Sequence, residues 1–383
     1  MVVEAYVSRT FTVQRIFMYK TKRIGSIIVF IVLGFILQNV FDWNRGEIRA
    51  EKRTDNNTSS TVLNVFTWTE YIDPEIFSEF EKEFHVRVHV DYYDLEDEML
   101  AMVQSKAGMY DIVFPSESSM DIMIKSHLLL KLDKRNIPNA KNLKARFRTI
   151  INRKWERYCV PIDWGVTGIA YNTKYVKDTV DSWRIFWNQK YKGRMALVDD
   201  PFEIFSVGQK SLGYSLNPKE CHELDEALKV LKDIKPLLHD ECCMAYNKIK
   251  EKLRSEELWV AQCYNGDAAL LNEENNNIKY VIPNEGTSFW IDTIAIPVGA
   301  QNKRIAEEFI NFMLHPKTGA KQTNYSYYAS CNRKAWAFVD KQLLRNPYIY
   351  IDKRKISRLE LYEILNPEIQ RKFNECWAEL QKD

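Results

Sequence analysis

The chain has 383 residues, enough for two domains of ordinary size, and its 54 Lys and Arg against 52 Asp and Glu leave a formal net charge of +2. So even a balance, with no long basic runs interleaved with aromatics, argues against nucleic acid as a partner. A hydrophobic content of 45%, with 10 Trp, 20 Tyr and 19 Phe, excludes a disordered chain.

Residues 1–23 form a basic N-terminal segment ending in Lys20, Lys22 and Arg23. From Ile24 to Leu37 every residue is apolar or small, and Val40 and Phe41 extend the run past Gln38 and Asn39. Residues 24–41 therefore read as a signal peptide or, preferred because no clean cleavage site follows, an uncleaved signal anchor. Met18 is an alternative start, giving a normal basic region before the apolar run. Either way the remainder is expected to work in the periplasm or at the outer face of the cytoplasmic membrane.

Residues 42–60 are polar and patternless, a linker. Val62 to Trp68 then predicts a buried strand, and Pro74 to Phe84 a helix with Ile76, Phe77, Phe80 and Phe84 on one face. Val86 to Tyr92 alternates as a second strand, Asp97 to Ala107 is helical, and Asp111 to Pro115 is a strand leading to a helix opening at Ser116. That order predicts a parallel sheet with right-handed crossovers. A second cycle has strands at Tyr158–Pro161, Gly168–Tyr171, Met195–Val198, Trp259–Tyr264 and Tyr280–Ile282, with helices at Phe202–Leu212, Glu220–Ile234 and Asn247–Arg254. A strand at Phe289–Pro297, a helix at Ile305–Leu314 and a mostly helical last forty residues follow. Two α/β lobes crossed more than once by the chain would place a cleft at the carboxyl ends of their strands.

Familiar engines are missing: there is no GxGxxG, no GxSxG and no HExxH, and Tyr214 stands where a phosphate loop needs Lys. The seven cysteines all lie from Cys159 onward, at irregular spacing and in odd number, which is no disulfide framework. Cys221, His222, His239, Cys242 and Cys243 lack the CxxC spacing of a zinc site, so scattered thiols are preferred. No metal, no cofactor and no enzymatic activity are expected.

Three ring–carboxylate pairs stand out: Trp68-Thr69-Glu70, Tyr264-Asn265-Gly266-Asp267 and Trp290-Ile291-Asp292. A ring face beside a carboxylate holds an organic ammonium ion, and three such pairs suit a long cation charged at both ends, a polyamine. Asp292 interrupts an apolar strand and so must be paired or open to a cavity. Asp200, before Pro201 and three residues ahead of Glu203, fits a helix cap as well as a ligand contact, and Asp267 could also cap a helix. Tyr328, on these grounds alone, reads as core.

At these residues the chain resembles a family. VFTWTEYIDPE (65–75), YDIVFPS (110–116), PIDWGVTGIAYN (161–172), DSWRIFWNQKYKGRMALVDDPFEIF (181–205), FWIDTIAIP (289–297) and INFMLHP (310–316) are similar to the periplasmic spermidine/putrescine-binding proteins of bacterial ABC importers, in the family's order. The resemblance implies an α/β fold of the type II periplasmic binding protein kind, a two-lobed clamp with hinge crossovers and a central ligand cleft. Lobe 1 is then expected at 61–160 and 293–346, lobe 2 at 161–292, and a C-terminal helical segment at 347–383. It implies ligand contacts from Trp68, Thr69, Glu70, Ser116, Asp200, Glu203, Tyr264, Asp267, Trp290, Asp292 and Tyr328. Tyr264 stands where the family usually has Trp, and Ser118-Ser119 where relatives place an aromatic. Asp267 resembles putrescine-preferring members and Asp200 spermidine-preferring ones. One ammonium is expected against Asp267 and Asp292, the other near Glu70, Asp200 or Glu203. The implied partners are a polyamine, an ABC permease with its ATPase, and the membrane through the N-terminal segment, with the chain itself a monomer. The rival readings are a membrane-tethered polyamine sensor or adhesin, and a clamp of the same fold for ferric ion, thiamine, an amino acid or another small solute.

Overall fold

The computed structural model describes residues 61–351 and 357–382, so the apolar run at 24–41 and the linker at 42–60 lie outside the described residues. Among the described residues no helix is long and apolar enough to cross a membrane. Ser59–Asp383 form one compact unit.

The first strands behave as their patterns predict. β1 (Val62–Trp68) pairs in parallel with β2 (Arg87–Tyr93) on one side and β3 (Ile112–Val113) on the other. The crossover helix Pro74–Phe84 starts where Asp73 accepts the Glu75 amide at 2.9 Å and Pro74 supplies a preset φ. It ends at His85, in the left-handed conformation with φ 55°. Its buried Ile76, Phe77 and Phe80 follow the helical period, and Phe77 and Phe80 pack on Phe309. The helix Glu96–Ser105 completes the crossover to β3.

Where the sequence predicts strands at Tyr158–Pro161 and Gly168–Tyr171, there is a single one, β4 (Cys159–Asn172). Asp163 and Gly165 interrupt the apolar run without ending the strand. Asp163 is buried but accepts hydrogen bonds from Tyr71 (3.4 Å) and Gln322 (3.3 Å), and Gly165 makes room for the Trp290 ring.

β5 (Met195–Val198), β6 (Cys243–Met244), β7 (Val260–Tyr264) and β8 (Ile278–Val281) form a second group of strands. β9 (Thr287–Ala295) returns to the first, followed by β10 (Ala329–Ser330) and β11 (Leu359–Glu360). The sheet order is β2-β1-β3-β9-β4-β7-β5-β6, with β8 and β10 on β4 and β11 on β9. The first half of β4, from Cys159 to Val166, pairs antiparallel with β9, and its second half, from Thr167 to Asn172, pairs with β7 and β8. β4 and β9 are thus the shared crossings of a two-lobed α/β molecule. Among the described residues of the C-terminal stretch, 346–351 and 357–366 hold no helix and Pro367–Leu380 forms one. That helix buries Ile369, Phe373, Cys376 and Trp377 in the cluster that also contains Leu224, Ala227 and Leu231 of Cys221–Ile234.

Candidate ligand cleft

Strand ends and helix starts deliver the expected residues to one place. Trp68 is the last residue of β1, and Glu70 follows in a left-handed turn (φ 55°) that bends the chain away from the strand. Trp290 and Asp292 stand two apart on β9 and so share a face of it. Tyr264 ends β7, and Asp267 lies in the first turn of the helix Asn265–Glu274. Asp292 also bridges to Ser116, just before the helix Glu117–Lys125.

The rings form a continuous wall. Centroid separations run 6.2 Å from Trp68 to Tyr246, 6.4 Å to Tyr264, 5.6 Å to Trp290, 4.9 Å to Tyr328 and 6.4 Å to Tyr71. Tyr328 therefore belongs with the other rings, as the family resemblance implies and its own sequence context does not. Tyr246 and Tyr71 join them without a sequence signal of their own: Tyr246 has no carboxylate within three residues downstream, and the acid that follows Tyr71, Asp73, caps the next helix. Against this wall a methylene chain would lie on apolar faces, and a cation would meet their negative quadrupoles.

The carboxylates fall into three groups. Asp292 is 7% exposed, and burial, with the charges of Glu96 and Asp163 adding to it, raises its carboxyl well above the usual range against the opposing Tyr71 hydrogen bond. Glu96, which the sequence reading passed over, is pushed up to about 7 by burial, although Ser116 donates to it from both backbone amide and hydroxyl. Its other oxygen, Oε2, is buried without a hydrogen-bond partner, as is Trp290 Nε1. Carboxyls raised by burial beside unpartnered polar atoms mark a candidate binding site.

Asp200 and Glu203 make up the second group. Asp200 caps the helix Pro201–Ser211, its Oδ1 accepting the Glu203 amide at 3.0 Å, and burial pushes its carboxyl up to about 6. Glu203 departs from its expected place at an amine of the ligand. Its Oε1 accepts from Thr167 Oγ1 (3.0 Å) and Ser288 Oγ (2.8 Å), and its Oε2 from Gln262 (3.3 Å). Burial, then the Asp200 charge, pushes it up to about 8. It ties β4, β7 and β9 together behind the cleft.

The third group has a partner that the sequence does not announce. Glu70 and Asp267, predicted at opposite ends of the ligand, share one cation, Lys250 of the helix Tyr246–Arg254. Its Nζ lies 3.1 Å from Glu70 Oε2 and 3.4 Å from Asp267 Oδ1. Asp267 makes no cap hydrogen bond to its helix. Nearby, the Thr69 amide donates to Tyr93 O at 3.1 Å, the Thr69 carbonyl accepts from the Tyr246 hydroxyl, and Asn247 Nδ2 donates to Asp94 Oδ1 at 3.2 Å. One face of this helix thus fastens the second lobe to the loops of the first.

Elsewhere, His239 is engaged by Glu257 at 2.8 Å, and the Cys242 and Cys243 sulfurs lie 3.5 Å apart. Among the described residues no group of His, Cys, Asp and Glu has the geometry to hold a metal ion.

Residues 75–346 match the family described as bacterial extracellular solute-binding protein. The chain is 30% identical over 318 residues to the spermidine/putrescine-binding periplasmic protein of Salmonella typhimurium, covering 81% of this chain and 88% of that one. Among solved structures it is similar to a putative spermidine/putrescine ABC transporter from Listeria monocytogenes (31% identity, TM-score 0.79, covering 84% of this chain and 99% of that one). It is also similar to the Tp0655 lipoprotein of Treponema pallidum (28% identity, TM-score 0.75, covering 84% and 100%).

Proposed function

The chain belongs to the family of bacterial extracellular solute-binding proteins, and we propose that it is the polyamine-binding component of an ABC importer, delivering putrescine or spermidine to a membrane permease driven by a separate ATPase. The observation that carries this reading is the placement of the buried Asp292 and the half-buried Glu96, both carboxyls raised by burial, beside the ring wall from Trp68 to Tyr71. The names of the Salmonella and Listeria relatives support the same ligand class. Trp68, Tyr264, Trp290 and Tyr328 supply ring faces, Asp292, Glu96 and Asp200 the charge, and Asp267 and Glu70 flank this charge while engaging Lys250. Thr69 and Ser116 fix the loops beneath, and Glu203 braces the site from behind. A desolvated cation–ring contact is worth about 2 kcal/mol. Micromolar affinity needs about 8 kcal/mol, so a few such contacts and charge-assisted hydrogen bonds suffice after ordering costs.

Lobe 1 comprises 61–160 and 293–346 and lobe 2 comprises 161–292, with β4 and β9 as the hinge and 347–383 closing on lobe 2. Closure buries the opposing charges around the ligand, so a membrane partner can tell loaded from empty protein. The protein acts as a monomer in the periplasm or at the membrane's outer face, exported or anchored by residues 24–41.

Calorimetric titration of residues 59–383 with putrescine, spermidine and spermine tests this. Saturable binding of at least one, weakened tenfold or more in Asp292→Asn, is the expected result. A folded protein that gives no heat with any of the three is not a polyamine carrier.

A further inference from the structure

Lys250 puts an ammonium ion where one of the ligand's was expected. The side chain is 5% exposed, and its Nζ is held by Glu70 Oε2 at 3.1 Å, Asp267 Oδ1 at 3.4 Å and the Tyr246 ring at 5.2 Å from the centroid. Two carboxylates and a ring face are the groups that recognise an organic ammonium, and here Lys250 engages one oxygen of each carboxylate, leaving Asp267 Oδ2 buried without a hydrogen-bond partner. Burial pulls this amine's pKa down, but the Asp267 and Glu70 charges and hydrogen bonds outweigh it and raise it. The next cation along the helix, Arg254, is bound elsewhere, to Glu274 at 2.6 Å.

The opposite part of the cleft has no such occupant. Among the described residues, no Lys or Arg is ion-paired with Glu96, Asp200 or Asp292, whereas Lys250 sits on the Glu70–Asp267 pair.

We propose that Lys250 is a specificity-determining residue, a tethered ammonium that fills one subsite of the cleft and leaves room and charge for a diamine in preference to a triamine. The inference rests on the polyamine reading above. A diamine brings two charges to Glu96, Asp292 and Asp200. A triamine brings a third, which must either displace Lys250 from two ion pairs or lie beside a like charge with its carboxylates already neutralised. Of the two ion pairs, Lys250–Glu70 joins the second lobe to the first, and Lys250–Asp267 lies within the second.

The test compares putrescine and spermidine on residues 59–383 and on Lys250→Met, which keeps the length of the side chain and removes its charge. The wild-type domain should bind putrescine at least tenfold more tightly than spermidine. In Lys250→Met that ratio should fall tenfold or more, because the extra amine of spermidine replaces the missing one. An unchanged ratio, or equal weakening of both ligands, overturns the proposal while leaving the carrier reading intact. No binding of either ligand to the wild-type domain overturns both. A second measurement needs no variant: acetylation of the wild-type protein, read by mass spectrometry, should find Lys250 protected both free and saturated with putrescine. Exposure of Lys250 by putrescine would mean that the diamine displaces it, and the proposal fails even if Lys250→Met does not fold.

Discussion

Ser116 donates twice to a single oxygen of Glu96: its backbone amide and its hydroxyl each lie 2.7 Å from Oε1. The contact joins the start of the helix Glu117–Lys125 to the start of Glu96–Ser105, and it aims a carboxylate whose second oxygen has no partner. Ser116→Ala keeps the amide bond and removes the hydroxyl. A hydrogen bond to a charged group contributes about 1.5–3 kcal/mol, so polyamine affinity should fall by about tenfold or somewhat more. Titration of the variant against the parent checks this, and equal affinities would show that Glu96 is oriented without the hydroxyl.

The raised acids give binding a pH dependence of definite sign. Glu96 titrates at about 7 and Asp200 at about 6, both driven up by burial, and Asp292 is raised as well. An ammonium ligand binds their ionised forms, so protons leave as it enters and affinity rises with pH between about 5 and 8. At pH 6.5, calorimetry in buffers of differing ionisation enthalpy should report net proton release, and proton uptake would contradict the assignment. The free protein should respond oppositely. For a carboxyl raised above its unfolded value, the stabilisation is fully present below that value, near 4, and is lost as pH rises through the folded one. With Asp200, Glu96 and Glu203 at about 6, 7 and 8, the ligand-free domain should melt at a higher temperature at pH 5.5 than at pH 8.

What the sequence made legible was local. Pro74–Phe84 and Met195–Val198 match their predicted bounds because cap, period and apolar run agree within a dozen residues. Ring–acid pairs such as Trp290 and Asp292 were visible because both members sit on one strand. Lys250 was not, since its partners Glu70 and Asp267 lie 180 and 17 positions away, and a lysine on an amphipathic helix ordinarily reads as solvated. Glu96 was missed for a similar reason: an acid in a first helical turn is already explained by the helix dipole, and Ser116 comes 20 residues later. β4 is continuous where its sequence predicts two strands, because Tyr71 and Gln322 satisfy the buried Asp163 and the Trp290 ring packs against Gly165, contacts that come from distant segments.

Gly165 carries a packing constraint that follows from its pairing with Trp290 across β4 and β9. A Cβ there would lie 2.2 Å from Trp290 Cζ2 and 2.4 Å from Asn265 Oδ1, the oxygen that accepts the Val166 amide at 2.9 Å. Gly165→Ala must move the indole or the strand, an overpacking cost of about 1–3 kcal/mol. Urea denaturation should show that loss, and polyamine affinity should fall with it because the displaced ring belongs to the cleft wall. A variant as stable as the parent would mean that the crossing strands yield easily.

Trp290 separates ring chemistry from hydrogen bonding. Its Nε1 is buried without a partner, so removing that N–H should not destabilise the fold through a lost bond. The ring packs edge-on against Tyr264 and Tyr328, at 5.6 and 4.9 Å. Trp290→Phe keeps an aromatic face, weaker toward cations than indole, and should cost about threefold to tenfold in affinity. Trp290→Ala removes the face and opens a cavity, costing about 3–5 kcal/mol of stability for a large aromatic and tenfold or more in binding. Titration and thermal melting of the two variants would decide the matter. If Phe binds as poorly as Ala, the indole N–H rather than the ring face is what the ligand meets, and a ligand with a hydrogen-bond acceptor would then fit this cleft better than a polyamine.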